Sequence, residues 1–237
     1  MKKKVIFFDA GETLVYRNPS LLEISYRFLK REGYKISKNI LSDILNNCAI
    51  KMKPLVESAK IADSKKWAIY IEMVFKKLKI KNKIVMNNLR EHLKHGTSFR
   101  PFPGIKKLLS GLKRKGFKLG VISNASNSLY DILKRTGLSS FFDVIIVSEE
   151  VGCEKPDVRI FKKALNFLKI KPYEAVFIGD NFIADIIGAK KAGITPVWLQ
   201  RKSKNNEFSY SGNAGKEVYK IRKVTDIIKL IKSEEWN

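Results

Sequence analysis

The pattern of apolar and polar residues begins with a short apolar strand that ends in a carboxylate. Val5–Phe8 is a continuous apolar run, which is typical of a central strand covered on both faces. Asp9 follows directly and therefore stands at the carboxyl edge of the predicted sheet, where open α/β sheets bind their ligands. Taken alone, Asp9 is explained equally well as the first residue of a turn.

Between residues 16 and 98 the pattern changes from strand to helix. Apolar residues recur at helical spacing, and no segment here alternates clearly in the way a half-buried strand does. The predicted helices are 21–31, 37–51, 64–78 and 82–95. We therefore expect a helical domain over residues 16–98, inserted directly after the first strand.

From residue 103 onward, strands and helices alternate with short links. The predicted strands are 118–123, 144–148, 175–179 and 195–199, and the predicted helices are 103–115, 126–136, 157–168, 182–192 and 224–231. A polar, Gly/Ser/Asn-rich stretch at 201–213 predicts a surface loop. Such alternation implies right-handed crossovers. The expected fold class is therefore α/β: a doubly wound parallel sheet built from residues 1–15 and 99–237, with an inserted α-helical domain.

Composition and charge narrow the choice of partners and compartment. No apolar run approaches the ~20 residues that cross a bilayer, and the run after the basic N-terminus is too short for a signal peptide, so we expect a cytoplasmic protein with no membrane partner. The formal net charge of +24 would draw anions such as phosphate esters toward a cleft. Lysines and arginines are spread along the whole chain without interleaved aromatics, so we expect no specific nucleic-acid partner.

Further polar side chains follow the later strands, at the same predicted sheet edge as Asp9. They are, in chain order, Ser123, Asn124, Lys155, Asp180 and Asp185. One carboxylate at a strand end carries little information. A hydroxyl, an amide, a lysine and several carboxylates in one plane predict a site for an anion and a metal ion.

The order and spacing of these residues resemble the haloacid dehalogenase superfamily, most of whose members are Mg²⁺-dependent phosphohydrolases with a Rossmann-like core. Four stretches match the family's motifs: 8–14 (Phe-Asp-Ala-Gly-Glu-Thr-Leu), 122–124, 152–157 and 179–185. The predicted helical domain lies between the first two, where family members carry a helical cap. Each motif is weak alone, but four in order are specific.

The resemblance implies a role for each residue of the motifs. Asp9 would be the nucleophile that forms an aspartyl-phosphate, and Ser123 and Lys155 would contact the phosphoryl group as catalytic residues. Thr13 and Asn124 would bind the substrate. Alternatives stay open, because the Thr13 and Ser123 hydroxyls could cap turns and Asn124 could orient a neighbouring loop.

The resemblance also implies a bound Mg²⁺, which prefers hard oxygen ligands. These would be Asp9, the backbone carbonyl of Gly11, Asp180 and Asp185. For Asp185 a supporting position behind the ligands is an open alternative.

One position departs from the family pattern. Family phosphatases usually carry a second aspartate two residues after the nucleophile, where it protonates the leaving alcohol and later activates water. Here that residue is Gly11, and losing the acid/base predicts a rate lower by on the order of 10²–10⁴ for an alkoxide leaving group. Leaving groups of low pKa would be affected less. Glu12 is a candidate substitute, although neighbouring side chains normally diverge.

The expected function is that of a Mg²⁺-dependent phosphohydrolase acting on a small phosphorylated metabolite, as a monomer or homodimer. One alternative is a 2-haloacid dehalogenase-type hydrolase, in which Asp9 attacks carbon and no acid at position 11 is needed. Gly179-Asp180, the family's metal-binding form of the fourth motif, argues against it. Another is a catalytically impaired member that binds a ligand or a protein. Gly11 favours this alternative, and the intact Asp9, Lys155 and Asp180 oppose it.

Overall fold

The chain divides into two compact units in this computed structural model, which describes residues 2–57, 63–95, 98–201 and 218–231. The first unit, here called the α/β unit, consists of Met1–Tyr16 and Pro101–Asn237. The second, the helical unit, is Arg17–Arg100. The predicted loop at 201–213 lies outside the described residues, apart from Arg201.

The secondary structure follows the predicted alternation. The strands of the described chain are β1 (Val5–Phe8), β2 (Val15–Asn18), β3 (Ser98–Pro101), β4 (Lys118–Ser123), β5 (Val144–Val147), β6 (Ala175–Gly179), β7 (Thr195–Leu199) and β8 (Tyr219–Ile221). The helices are α1 (Leu21–Arg31), α2 (Lys38–Glu57), α3 (Asp63–Lys77), α4 (Lys83–His95), α5 (Ile105–Arg114), α6 (Ser128–Arg135), α7 (Ser148–Val151), α8 (Val158–Leu168), α9 (Gly188–Lys191) and α10 (Ile227–Ile231).

The α/β unit is built on a six-stranded sheet in the order β5-β4-β1-β6-β7-β8. All five strand pairs are parallel, which confirms the predicted fold class. β1 lies in the middle, and every residue of Val5–Phe8 is fully buried. The chain runs from β1 to β4 on one side and later returns to β6 on the other, so the strand order reverses at β1. Ligands of doubly wound folds bind at such a reversal.

Close packing of aromatic rings fixes the spacing around β1. The ring of Phe161 on α8 meets Phe177 on β6 edge-to-face, with centroids 5.3 Å apart, a favoured aromatic geometry. Gly120 on β4 faces Phe7, and a Cβ at this glycine would lie 2.6 Å from the Phe7 ring. A side chain at position 120 would therefore push apart two strands that carry site residues.

The helical unit contains the four predicted helices, α1–α4, around an apolar core of its own. Its fully buried side chains include Leu29, Leu41, Ile71 and Leu89, one from each helix. Ser20, directly before α1, is its N-cap, because its hydroxyl accepts a hydrogen bond from the backbone N–H of Glu23 (3.2 Å).

Three short strands, the one-turn helix α7 and a π-helical turn were not predicted. β2 and β3 form a two-stranded sheet, and each is only four residues of mixed polarity, too short for a period-2 signal. β8 is a three-residue strand that joins the sheet beside β7. The predicted helix at 182–192 consists of a π-helical turn, Phe182–Ile187, followed by α9. Among the described helices, none combines the length and the apolar character needed to cross a bilayer.

Candidate active site

Three carboxylates and one ammonium group meet at the carboxyl edge of the sheet, next to β1. Asp9 follows β1, Asp180 follows β6, and Asp185 lies on the π-helical turn. Oxygen atoms of these carboxylates lie within 4.8 Å of one another. The sheet therefore brings together side chains that are up to 176 positions apart in the chain.

Lys155 lies between two of these carboxylates. Its Nζ is 2.7 Å from Oδ1 of Asp9 and 2.6 Å from Oδ1 of Asp185, and its side chain is buried. Burial alone would lower the pKa of Lys155, but the carboxylates of Asp185 and Asp9 raise that pKa above its ordinary value. The lysine is therefore a fixed positive charge, well suited to an anion and poorly suited to donating its proton.

The remaining negative charge is unfavourable without a counter-ion. Burial, together with the charges of Asp9 and Asp185, raises the pKa of Asp180 well above its ordinary value. Burial also raises the pKa of Asp185, to about 6, although its ion pair with Lys155 acts in the opposite direction. Three carboxylates beside one ammonium leave an excess negative charge, and hard carboxylate oxygens are the ligands that Mg²⁺ prefers. The donor set therefore fits a divalent cation.

The segment after β6 holds Asp185 by its backbone. The carboxylate of Asp185 accepts a hydrogen bond from the N–H of Asn181 (2.9 Å). The Asn181 side chain accepts from the N–H groups of Ile183 and Ala184, each at 3.0 Å, and so begins the π-helical turn. A Cβ at Gly179 would lie 2.2 Å from Oδ2 of Asp185. Glycine is therefore required where β6 ends.

Thr13 contacts a carboxylate of the site, and its predicted contact with substrate stays a prediction. The residue is fully buried, and its Oγ1 donates a hydrogen bond to Oδ1 of Asp180 (3.2 Å). The hydroxyl thereby links the loop after β1 to the loop after β6. Its position indicates that it orients Asp180.

Asn124 pairs with the backbone of Lys155 through both atoms of its side-chain amide. Its Nδ2 donates to the carbonyl oxygen of Lys155 (2.9 Å), and its Oδ1 accepts from the N–H of Lys155 (2.7 Å). These contacts agree with the loop-orienting alternative, while the predicted contact of Asn124 with substrate stays a prediction. The neighbouring Ser123 is buried and donates a long hydrogen bond, 3.4 Å, to Oδ1 of Asp9.

The turn after β1 has open space at Gly11. A Cβ placed on Gly11 would meet no atom within 4 Å. The next residue, Glu12, has a left-handed backbone with φ of 52°, which is uncommon for a residue with a side chain. The negative charge of Glu12 contributes to the raised pKa of Asp180, so this carboxylate lies within electrostatic range of the site.

Comparison with known proteins decides the family. The family model for haloacid dehalogenase-like hydrolases matches residues 6–199. The chain belongs to this family. The expectation of a hydrolytic enzyme of this class is thereby confirmed.

One curated relative of this haloacid dehalogenase-like hydrolase aligns along nearly all of it, and another aligns along about half. A protein of Methanothermobacter thermautotrophicus named glyceraldehyde 3-phosphate phosphatase is 29% identical over 240 positions, covering 96% of this chain and 99% of the relative. A protein of the same name from Methanopyrus kandleri is 40% identical over 111 positions, covering 45% of this chain and 48% of the relative.

Solved structures support the same fold. The crystal structure of magnesium-bound YfnB from Bacillus subtilis superposes with a TM-score of 0.76 at 19% identity, over 98% of this chain and 100% of that one. The HAD phosphatase from Thermococcus onnurineus gives a TM-score of 0.61 at 25% identity, over 98% and 99% of the two chains. At 19% identity the first of these similarities concerns the fold alone.

Three residues of this hydrolase contribute to the site without having been predicted. Asn181 could have been recognised, because an asparagine directly before a helical segment is a common N-cap. Trp198 on β7 donates its indole N–H to the backbone carbonyl of Asp180 (3.1 Å), and Arg201 donates to backbone carbonyls of the turn after β1. Both act on backbone atoms, and no residue pattern signals such contacts.

Proposed function

We propose that this hydrolase is a Mg²⁺-dependent phosphatase that cleaves a small phosphorylated metabolite through an aspartyl-phosphate on Asp9. The observation that carries the proposal is the placement of Lys155 between Asp9 and Asp185, beside the carboxylate of Asp180. A nucleophilic carboxylate, a fixed cation and an excess of hard oxygen donors are the parts that phosphoryl transfer requires. Relatives named glyceraldehyde 3-phosphate phosphatase support a phosphate ester as the substrate class.

Mg²⁺ would be held by Asp9, Asp180 and the backbone carbonyl of Gly11. When bound, it would neutralise part of the phosphate charge that otherwise repels a carboxylate nucleophile. Both carboxylate oxygens of Asp185 already have partners in the protein. One pairs with the ammonium of Lys155, and the other accepts a hydrogen bond from the N–H of Asn181. We therefore propose Asp185 as the carboxylate that orients Lys155 and supports the ligands.

The reaction would proceed in two displacements. The carboxylate of Asp9 attacks phosphorus, an O–P bond forms, and the bond from phosphorus to the leaving oxygen breaks. Lys155 and Ser123 both donate to Oδ1 of Asp9, which orients the carboxylate. With substrate bound, the same two groups would donate to phosphoryl oxygens. Water then hydrolyses the aspartyl-phosphate, which releases inorganic phosphate and regenerates Asp9.

The glycine at position 11 limits which leaving groups the enzyme would expel rapidly. An alkoxide has to acquire a proton as it departs, and Gly11 has no group that could supply one. Lys155 is an unsuitable donor because its ion pairs raise its pKa. We therefore propose that acyl or aryl phosphates turn over faster than alkyl phosphates, with Glu12 as the candidate proton donor for the slower substrates. A cytoplasmic location, a monomer or homodimer, and the absence of membrane and nucleic-acid partners stay predictions.

Phosphate release from an aryl phosphate, an acyl phosphate and glyceraldehyde 3-phosphate, each with Mg²⁺ and with EDTA, tests the proposal. We expect Mg²⁺-dependent turnover that Asp9→Asn abolishes and that Glu12→Gln lowers for alkyl phosphates only. Release of halide from a 2-haloacid without metal would instead indicate a dehalogenase. Mg²⁺ binding without any turnover would indicate a ligand-binding member of the family.

A further inference from the structure

Arg201 connects the end of β7 to the turn that follows β1. Its Nε donates a hydrogen bond to the backbone carbonyl of Glu12 (2.9 Å), and its Nη2 donates to the carbonyl of Thr13 (3.0 Å). The guanidinium lies over the ring of Phe102, with Cζ 3.5 Å from the centroid. One side chain thus binds two successive backbone carbonyls that lie 189 and 188 positions away along the chain.

The turn held in this way carries two parts of the proposed metal site. Gly11, whose carbonyl is a proposed ligand, directly precedes the two residues that Arg201 binds, Glu12 and Thr13. The hydroxyl of Thr13 donates a hydrogen bond to Asp180. Between Gly11 and Thr13, Glu12 has a left-handed backbone, a conformation that is unfavourable for a residue with a side chain. Such a turn persists only where surrounding contacts fix it. The two hydrogen bonds from Arg201 are contacts of that kind.

We propose that Arg201 is a positioning residue that sets the affinity for Mg²⁺ by holding the turn at residues 11–13 in place. The inference rests on the proposed function, since it concerns the same metal site. Arg201 acts through the backbone, and its planar fork is essential, because two parallel donors reach two successive carbonyls while the flat face stacks on an aromatic ring. A lysine at this position would retain the charge, but its ammonium is a compact group that has no planar face to stack on an aromatic ring.

A purely electrostatic role makes a different prediction, which separates the two explanations. Arg201 is close enough to Asp180 and Glu12 to interact with their charges. If only its charge mattered, Arg201→Lys would bind Mg²⁺ as the unchanged protein does. Removing a positive charge near the ligands, as in Arg201→Met, would even favour cation binding. The positioning role instead predicts that both variants bind Mg²⁺ more weakly.

Titration calorimetry with Mg²⁺ alone, on the full-length protein, measures this directly. We expect the Kd for Mg²⁺ to rise about 10- to 100-fold in both Arg201→Lys and Arg201→Met, which is the range for residues that orient metal ligands. Arg135→Lys, at an exposed arginine on α6, is the matched control and should leave the Kd unchanged. Circular dichroism and the melting temperature without metal verify that each variant is folded.

Chemical rescue provides the second measurement. In Arg201→Ala, free guanidinium at low-millimolar concentration should restore part of the Mg²⁺ affinity, whereas methylammonium, which has the charge but lacks the fork, should not. Wild-type Kd values in folded Lys and Met variants, or equal rescue by both cations, would overturn the positioning role and leave the proposed phosphatase intact. An unchanged protein that neither binds Mg²⁺ nor releases phosphate would overturn the proposed function itself, and this inference with it.

Discussion

Lys155 and Asp185 form a buried ion pair, with Nζ and Oδ1 2.6 Å apart and both side chains at most 2% exposed. The same ammonium group also contacts Asp9. Removing charges from water is costly, and such a pair is maintained only where further hydrogen bonds satisfy both partners. The N–H of Asn181 supplies one of these for Asp185. The charge balance of the site therefore depends strongly on Lys155 and on the cation that the carboxylates would bind.

Replacing Lys155 by methionine should destabilise the protein strongly and make its stability depend on metal. The variant leaves three neighbouring carboxylates without their cation, and loss of one partner from a buried ion pair costs about 3–5 kcal/mol. Urea unfolding in EDTA measures this loss in the free energy of unfolding. Added Mg²⁺ should recover part of it, since a ligand at 100 times its Kd stabilises the folded state by about 2.7 kcal/mol. Unfolding curves of the variant that are identical to those of the unchanged protein would contradict the charge balance described here.

Replacing Gly179 by alanine should displace Asp185. The added Cβ would stand 2.2 Å from Oδ2 of Asp185, so the carboxylate or the end of β6 has to move. We expect the free energy of unfolding to fall by about 1–3 kcal/mol and the affinity for Mg²⁺ to fall with it. Gly111→Ala is the matched control, because α5 has open space there and alanine should stabilise the helix by about 0.5–1 kcal/mol. Equal stability changes in the two variants would refute the steric explanation.

Replacing Gly11 by aspartate should accelerate turnover of alkyl phosphates. Space exists for the side chain, since a Cβ at this position meets no atom within 4 Å. A carboxyl group there could protonate the leaving alkoxide, which is worth on the order of 10²–10⁴ in rate. Kinetics on an alkyl and an aryl phosphate measure the change, and the aryl phosphate should gain little. Gly11→Asn has the same size but no acid, so an equal acceleration by asparagine would rule out proton transfer as the cause.

Replacing Asn124 by alanine should lower kcat and leave KM nearly unchanged. Its amide pairs with both backbone polar groups of Lys155, and a displacement of about 1 Å at a catalytic group can cost on the order of 10²-fold in rate. Steady-state kinetics on an aryl phosphate separate the two parameters. The control is Asn127→Ala, at an exposed asparagine of the same segment whose side chain makes no capping hydrogen bond. A raised KM with an unchanged kcat would show that Asn124 contacts the substrate after all.

The fold and the location of the site could be predicted from the sequence because both follow from repeated local signals. Apolar runs such as Val5–Phe8 identify buried strands, and the strict alternation with helices leaves a parallel sheet as the expected arrangement. The polar residues then had to meet, since the carboxyl ends of parallel strands lie on one edge. Asp9, Lys155 and Asp180 were placed together on this reasoning, and in the structure they lie together.

The direction of individual side chains could not be predicted in this way. The hydroxyl of Thr13 donates to Asp180, and the amide of Asn124 pairs with a peptide group 31 positions away. Both contacts depend on the shape of loops, which local propensity does not determine. Arg201 is the extreme case, since its partners are backbone carbonyls, and every residue type has one. The strand β8 was missed for another reason: three residues are too few to show a period.

The pairing of β2 with β3 suggests how the helical unit of this protein could be removed or exchanged. The helical unit, Arg17–Arg100, is joined to the α/β unit through the paired strands β2 and β3. Next to these strands, the N–H of Phe102 donates a hydrogen bond to the carbonyl of Leu14 (3.0 Å). The inserted segment therefore begins and ends on two paired strands, as the loop of a β-hairpin does. A short turn between β2 and β3 could replace all four helices. Helical units from related enzymes could be inserted at the same place without changes to the α/β unit.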